Sequence, residues 1–293
     1  MQAAAIPPSA PRPRAWTPPT GTLGALCAAA RERAAELALS RSALDGAVQA
    51  AVDAGPVPSF ADALQSPAGA PVAVIAEVKR SSPSKGVINA GLGAAAQALA
   101  YAAGGAAAVS VLTEPTRFGG SNADVQDAVA ALGGRTPVLR KDFLVDHVQL
   151  AEARALGASA VLLIARALAP ATLRALADGA RSLGLEPFVE VRDRWELDDA
   201  LAADARVIGV NNRDLETLAI DLATGEALVP HIPADRLAVF ESGVASAADV
   251  ERAARAGADA VLVGSAVSAA TDPTAAVAAL AGVPRVGRAA PGR

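Results

Sequence analysis

From Pro71 onward the chain alternates between two hydrophobic rhythms. Short β-branched runs appear at VAVIAEVK, AAVSVL, PVLRK, SAVLLI, PFVEV, RVIGVN, LAVFE and DAVLV. Near-continuous apolar runs of this length predict strands covered on both faces, as in parallel sheets. Between them lie stretches such as VQLAEARALG, LRALADGARSLG and AADVERAARAG, in which Leu, Ala and Val recur at helical spacing. Each of these three ends in Gly, the residue best suited to the left-handed stop of a helix. The runs start at intervals of roughly 20–35 residues, the length of one βα unit. Eight such units close into a barrel more naturally than they form an open doubly wound sheet. The pattern therefore predicts a (β/α)8 TIM barrel over residues 71–283.

The chain ahead of Pro71 follows different rules. LGALCAAARERAAELALSRSALDGAVQAA, from Leu23 to Ala51, has helical spacing of Leu and Ala with charges interleaved. It predicts one or two helices, with a further short helix over Ser59 to Gln65. An N-terminal helical extension thus occupies residues 21–70. Before it stand Pro7, Pro8, Pro11, Pro13, Pro18 and Pro19. Proline removes backbone donors and fixes φ, so residues 1–20 are expected to be a disordered lead. Residues 284–293 read as a flexible tail.

Composition fits one large domain. A barrel of this type needs about 250 residues, and the chain has 293. Hydrophobic residues make up 52% but aromatics only 3%, so the core must be built mainly from Ala, Val and Leu. Few aromatics and a net charge of −4 argue against a nucleic-acid partner. No apolar run reaches the length of a membrane span, and the first residues lack the unbroken apolar segment of a secretory signal. A cytoplasmic protein is expected. The single Cys27 excludes an internal disulfide and falls in a helical stretch, where a packed thiol is the expected reading.

Chemistry in such a barrel sits where the strands end. Charged residues close several otherwise apolar runs. The first ends with Glu77 and Lys79, two apart and so on one face of the strand. The third ends with Lys141, the fifth with Glu190, the sixth with Asn211, and the seventh with Glu241 followed by Ser242. Unpaired buried charges cost several kcal/mol each. This set therefore has to pair internally or with a ligand. A purely structural ion-pair network is the bland alternative, yet folding does not require so many charges in one mouth.

Two further turns suggest an anion. FESGVAS follows the seventh run and LVGSAV the eighth, placing Gly243, Gly264 and Ser265 at strand-to-helix turns. Glycine lets backbone N–H groups approach phosphate closely, and these two positions are where many barrels hold it. Ser82, Ser84 and Lys85 of KRSSPSKG could close over the same anion. A small phosphorylated molecule is the expected partner. No P-loop is present, and GLG at Gly91–Gly93 lacks the third glycine of a dinucleotide fingerprint. His147 and His231 have no second ligand at metal spacing. The reading involves no metal and no cofactor.

The motifs IAEVKRSSPSKG, SVLTEPTRFGGS, VLRKDFLVD, PFVEV, GVNNRDL, FESGV and VLVGSAV together resemble the indole-3-glycerol-phosphate synthases of tryptophan biosynthesis. The resemblance runs from about Ser59 to Val267. It implies a (β/α)8 barrel with an N-terminal extension and a cofactor-free carbon–carbon lyase. Such enzymes convert 1-(2-carboxyphenylamino)-1-deoxyribulose 5-phosphate to indole-3-glycerol phosphate, carbon dioxide and water. By the same resemblance, Lys141 is the general acid of ring closure and Glu190 assists dehydration. Glu77 and Asn211 orient the reacting carbon, while Lys79 lies near the substrate carboxylate. Glu241 and Ser242 stand beside the reacting chain, and Arg213 attracts the carboxylate. Ser82, Gly243, Gly264 and Ser265 form the phosphate site, with Phe118, Phe143 and Leu215 lining the aromatic pocket. Two positions depart from many relatives. Arg117 replaces an aromatic, and Val148 stands where a tyrosine is common.

Other readings of the same residues are a phosphoribosylanthranilate isomerase, a Schiff-base aldolase using Lys141 or Lys79, and a barrel that binds a phosphometabolite without turnover.

Overall fold

The computed structural model describes residues 15–67 and 69–288. The barrel strands are β1 (Ala73–Val78), β2 (Ala108–Leu112), β3 (Val138–Lys141), β4 (Ala160–Ile164), β5 (Glu186–Val191), β6 (Val207–Asn211), β7 (Leu237–Glu241) and β8 (Ala260–Val263). Each pairs in parallel with its sequence neighbours, and β1 closes the ring against β8 with Ile75 opposite Leu262. This is the (β/α)8 barrel predicted from the hydrophobic pattern. Val and Ile dominate the strands because a branched Cβ packs well on a pleated surface. Only Lys141 and Glu186 among the strand residues are less than fully buried. Both faces of the sheet are therefore covered, by helices outside and by side chains inside.

Ahead of the barrel come α1 (Gly21–Ala38), α2 (Arg41–Asp53) and α3 (Phe60–Leu64). Ser59 caps α3 by accepting from the Asp62 N–H at 3.2 Å. Phe60 then meets Phe188 of β5 edge-on, with centroids 6.2 Å apart, and plugs the N-terminal end of the barrel. The strands are followed in turn by α4 (Ala94–Ala103), α5 (Asn122–Leu132), α6 (His147–Ala155), α7 (Pro170–Ser182) and α8 (Arg194–Ala202). After β6 and β7 come α9 (Ala223–Leu228) and α10 (Ala247–Ala256). The short α11 (Ser265–Ser268) and then α12 (Pro273–Ala278) follow β8. Gly133 and Gly257 end α5 and α10 at φ 57° and 94°, the left-handed stop that glycine permits. Among the described residues no helix is long and apolar enough to cross a membrane.

The first and last of the described residues make contacts that the sequence pattern does not suggest. Residues 1–14 of the proline-rich lead lie outside the described residues, but 15–20 rest on the barrel. Trp16 donates its indole N–H to the Arg166 carbonyl at 3.4 Å, and Arg166 donates to the Thr17 carbonyl at 3.0 Å. Proline cannot join a ladder, yet its neighbours can still be held by side chains. At the far end, residues 284–288 are not loose. Arg285 and Arg288 both pair with Asp259, itself 2% exposed. Asp259 also accepts the Ala238 N–H at 2.7 Å, so the tail latches β7 to β8. Tail charges pairing with a buried carboxylate were hidden in a segment that reads as polar and unpatterned.

Val148 has a clear place. It packs with Ala34, Leu44 and Ala151, joining α1 and α2 to α6. The Arg117 side chain is exposed, while its backbone carbonyl accepts from Ser81 at 3.0 Å.

Losing Arg288 would leave the buried Asp259 carboxylate with Arg285 alone and strip a donor from the Ile232 and Gly257 carbonyls. Arg288→Ala is expected to lower the free energy of unfolding by about 3 kcal/mol, read from the urea midpoint. An unchanged midpoint would mean that the latch contributes nothing.

Candidate active site

Five charges from four strands meet at the C-terminal mouth. Lys141 Nζ lies 2.9 Å from Glu241 Oε2, 3.5 Å from Glu77 Oε2 and 4.0 Å from Glu190 Oε2. Lys79, just past β1, holds Glu77 Oε1 at 2.9 Å. The period-two rule puts each of these side chains on the inner face of its strand. Three carboxylates against two ammonium groups leave one negative charge in excess. Burial works against charge at Lys141, but Glu241, Glu77 and Glu190 outweigh it and hold the ammonium far above the ordinary lysine range. Burial would also raise Glu77, yet Lys79 and Lys141 bring it below the usual carboxylate range. Glu241 shifts in the opposite direction. Burial, reinforced by Glu190 and Glu77, pushes its carboxyl up to about 7 against the pull of Lys141. Its Oε1 is buried without a hydrogen-bond partner.

Glycines make room for this cluster. A Cβ on Gly209 of β6 would stand 2.0 Å from Glu241 Oε1 and 2.7 Å from the Phe188 ring. A Cβ on Gly264 would stand 2.3 Å from Glu77 Oε1. No side chain at either position leaves the carboxylates where they are.

Above the charges is an apolar wall. Phe118 and Phe143 lie 6.3 Å apart, and Lys79 Nζ sits 5.8 Å from the Phe118 centroid, close enough for cation–π attraction. Leu215, and Leu23 and Leu26 of α1, line the same cavity. Arg213 faces it half-buried, with its guanidinium donating to the Leu218 carbonyl at 3.0 Å and its backbone N–H to Asn211 Oδ1 at 2.9 Å. Burial lowers the Arg213 pKa, the direction expected of a cation with no carboxylate in contact.

A second cavity of about 400 Å³ continues from the first, sharing Glu77, Lys79, Lys141, Arg213 and Ser242. Its far side is formed by Gly243, Gly264 and Ser265, with Lys85 on the rim. Ser242 and Gly243 turn through φ 64° and 83°, the left-handed region. The strain at Ser242 is held by Asn212. That side chain, fully buried, donates to the carbonyls of Glu241 at 2.7 Å and Ser242 at 3.0 Å, and accepts the Gly225 N–H at 2.8 Å. Ser82 belongs to a small hairpin (Ser81–Ser82 with Gly86–Val87), where its hydroxyl accepts the Lys85 N–H at 3.2 Å.

Every sequence-predicted residue falls in this mouth. Eleven line the first cavity: Glu77, Lys79, Ser82, Phe118, Lys141, Phe143, Glu190, Asn211, Arg213, Leu215 and Ser242. Gly243, Gly264 and Ser265 lie across the second, and Glu241 forms the floor under Lys141. The residues missed are the apolar and supporting ones. Leu112 and Ile164 end their strands without a charge, and Leu162 sits mid-strand in β4, so all three read as core. Asp142 was legible beside Lys141 in LRKDF. It is 3% exposed, accepts from Thr113 at 2.8 Å, and pairs with Arg33 of α1 at 3.0 Å.

A cation–carboxylate floor under an aromatic wall, facing a Gly–Ser lip at the C-terminal mouth, defines a barrel enzyme. The profile described as Indole-3-glycerol phosphate synthase matches residues 25–280. A protein of that name from Nocardioides sp. is 50% identical over 257 residues, 87% of this chain and 94% of the relative. One from Opitutus terrae is 50% identical over 224 residues, covering 75% and 84%. The chain belongs to the indole-3-glycerol phosphate synthase family and is a carboxy-lyase. Among solved structures, 3-hexulose-6-phosphate synthase from Salmonella typhimurium aligns with a TM-score of 0.56 at 16% identity, over 71% of this chain and 96% of that one. Thiamine phosphate pyrophosphorylase from Pyrococcus furiosus aligns with a TM-score of 0.54 at 15% identity, over 71% and 93%. These two share the fold.

Gly209→Ala is expected to displace the Glu241 carboxylate and lower kcat at least about 10²-fold, with the barrel's circular dichroism retained. Wild-type turnover by this variant would show that the void under Glu241 is not needed.

Proposed function

We propose that the protein converts 1-(2-carboxyphenylamino)-1-deoxyribulose 5-phosphate to indole-3-glycerol phosphate, carbon dioxide and water. The observation that carries this reading is the Lys141 ammonium at the cavity floor, kept charged by three carboxylates. The family's name and the close match of the relatives support it.

In this reading the substrate phosphate lies on the Gly243, Gly264 and Ser265 lip, with Ser82 closing from the hairpin. The aryl ring stands between Phe118, Phe143 and Leu215, with its carboxylate toward Arg213 and Lys79. Holding both ends fixes the reacting atoms, which is worth several kcal/mol of barrier. The ring carbon bearing the carboxylate attacks the ribulose carbonyl, and the carbonyl oxygen becomes an alkoxide. Lys141 stabilises that charge and delivers the proton. The carboxylate then leaves as carbon dioxide, its electron pair returning to the ring. Water departs last, its hydroxyl from the former carbonyl carbon and its proton from the neighbouring CH2. Glu190 takes that proton, and Lys79, paired with Glu77, protonates the leaving hydroxyl. Asn211 holds the sugar hydroxyls, and Glu241 and Ser242 keep Lys141 and the chain in place.

The other chemistry weighed for Lys141 is a Schiff base, which requires a neutral amine. An ammonium pushed far up by three carboxylates is the wrong species for it.

Incubation with the anthranilate-linked ribulose phosphate is expected to yield indole fluorescence. Lys141→Ala should lower that turnover at least about 10²-fold. A near-normal rate would overturn the acid assignment, and a borohydride-trapped adduct would move the reading to an aldolase. The deprotonated form of Glu241 is the one that pairs with Lys141. With its carboxyl raised to about 7, kcat is therefore expected to fall as pH drops through that value. Glu241→Gln should abolish this acid limb, and a variant that kept it would assign the limb to another group.

A further inference from the structure

Behind the mouth lies a buried hydroxyl that the reaction above does not use. α11 begins with Ser265 at the anion lip and ends with Ser268, which has no exposed surface. Ser268 Oγ donates to the Glu77 carbonyl at 2.7 Å and accepts the Lys79 N–H at 3.2 Å. It also lies 3.1 Å from the hydroxyl of Tyr101, on α4, which in turn donates to the Glu77 carbonyl at 3.1 Å. Tyr101 is the chain's one tyrosine and is wholly buried. Burial pushes its phenol up to about 12, so it remains a donor throughout the physiological range. The knot thus grips the backbone on both sides of Val78, between the two residues whose side chains form the Lys79–Glu77 pair.

The same short element touches that pair a second time. Gly264, at the start of α11, packs so closely on the Glu77 carboxylate that a Cβ would stand 2.3 Å from its oxygen. One end of the turn therefore meets the Glu77 side chain and the other its backbone. A single helical turn moves as a unit, because its residues are joined by i→i−4 hydrogen bonds. Here Ser268 N donates to the Gly264 carbonyl at 2.9 Å. Whatever draws Ser265 toward an anion also shifts Ser268, and with it the exit of β1.

We propose that Ser268 is a positioning residue through which an anion bound at the Gly264–Ser265 lip sets the reacting geometry of the Glu77–Lys79 pair. This rests on the reaction proposed above and goes beyond it. The phosphate is then more than an anchor, because its binding energy is used to organise acid–base groups on the neighbouring strand. The bland alternative is a buried hydrogen-bond knot that merely closes the barrel between β1 and β8. That version predicts lost stability but no link between anion and turnover.

The test separates the anion from the rest of the substrate. The probes are 1-(2-carboxyphenylamino)-1-deoxyribulose, which lacks the phosphate, and inorganic phosphite dianion added in solution. Phosphite is expected to stimulate wild-type turnover of this truncated substrate at least about tenfold. In Ser268→Ala the stimulation should fall to under about twofold, with kcat on the intact substrate reduced more than KM is changed. Tyr101→Phe removes one hydroxyl from the same knot, keeps the ring's packing, and should show intermediate stimulation. Equal stimulation in wild type and Ser268→Ala would overturn the proposal. If Ser268→Ala does not fold, undiminished stimulation in Tyr101→Phe overturns it. A wild-type enzyme that turns over the intact substrate yet ignores phosphite overturns it as well. If wild type fails on the intact substrate, it is the proposed reaction that falls.

Discussion

The excess of one negative charge at the barrel mouth governs much of what surrounds it. Two ammonium groups among three buried carboxylates cannot be neutral, and Glu241 has no exposed surface through which solvent could share the burden. The fold answers by bringing Lys141 within 4.0 Å of all three acids and by raising the proton affinity of Glu241. It also answers by subtraction. Gly209 and Gly264 are bare where any side chain would collide with Glu241 or Glu77. Such a site is costly to a resting protein, and that cost is the usual mark of a site shaped for a ligand. The barrel tolerates it because its eight strands are otherwise mostly apolar and each pairs with a neighbour on both sides.

Around that centre, support comes from side chains that brace the charged cluster. Asn212 fastens the strained turn at Ser242, whose φ of 64° a non-glycine residue rarely adopts. Asp142, next to Lys141, is held by Thr113 and by Arg33 of α1. The N-terminal extension is thereby coupled to the residue that carries the central cation. α1 also supplies Leu23 and Leu26 to the cavity wall, so the extension belongs to the site as much as to the scaffold.

How much of this was legible beforehand depended on contrast. Glu77, Lys141, Glu190 and Glu241 stand out because each interrupts an apolar run at its end. Ile164 and Leu162 do the same geometric work yet look like any other core residue. Gly209 gave no sign, since a lone glycine inside RVIGVN does not say which atom needs the space. Helical periodicity in α1 identified an apolar face without revealing that part of it meets a ligand cavity. Ser268 lies past the last motif, and its role depends on a tyrosine 167 positions away in sequence. The tail misled for a similar reason. The partner of Arg285 and Arg288 is a single carboxylate that precedes β8, and no local pattern connects them.

The two ends of the described chain approach opposite poles of the barrel. Residues 15–20 lie against Arg166 in the turn after β4, on the face where ligand enters, whereas Arg288 sits beside Asp259 at the closed pole. Cargo joined upstream would crowd the cone of solvent through which substrate arrives and product departs. Cargo joined downstream would leave that approach clear but pull on the latch between β7 and β8. An affinity handle on this protein therefore trades access at one pole against cohesion at the other.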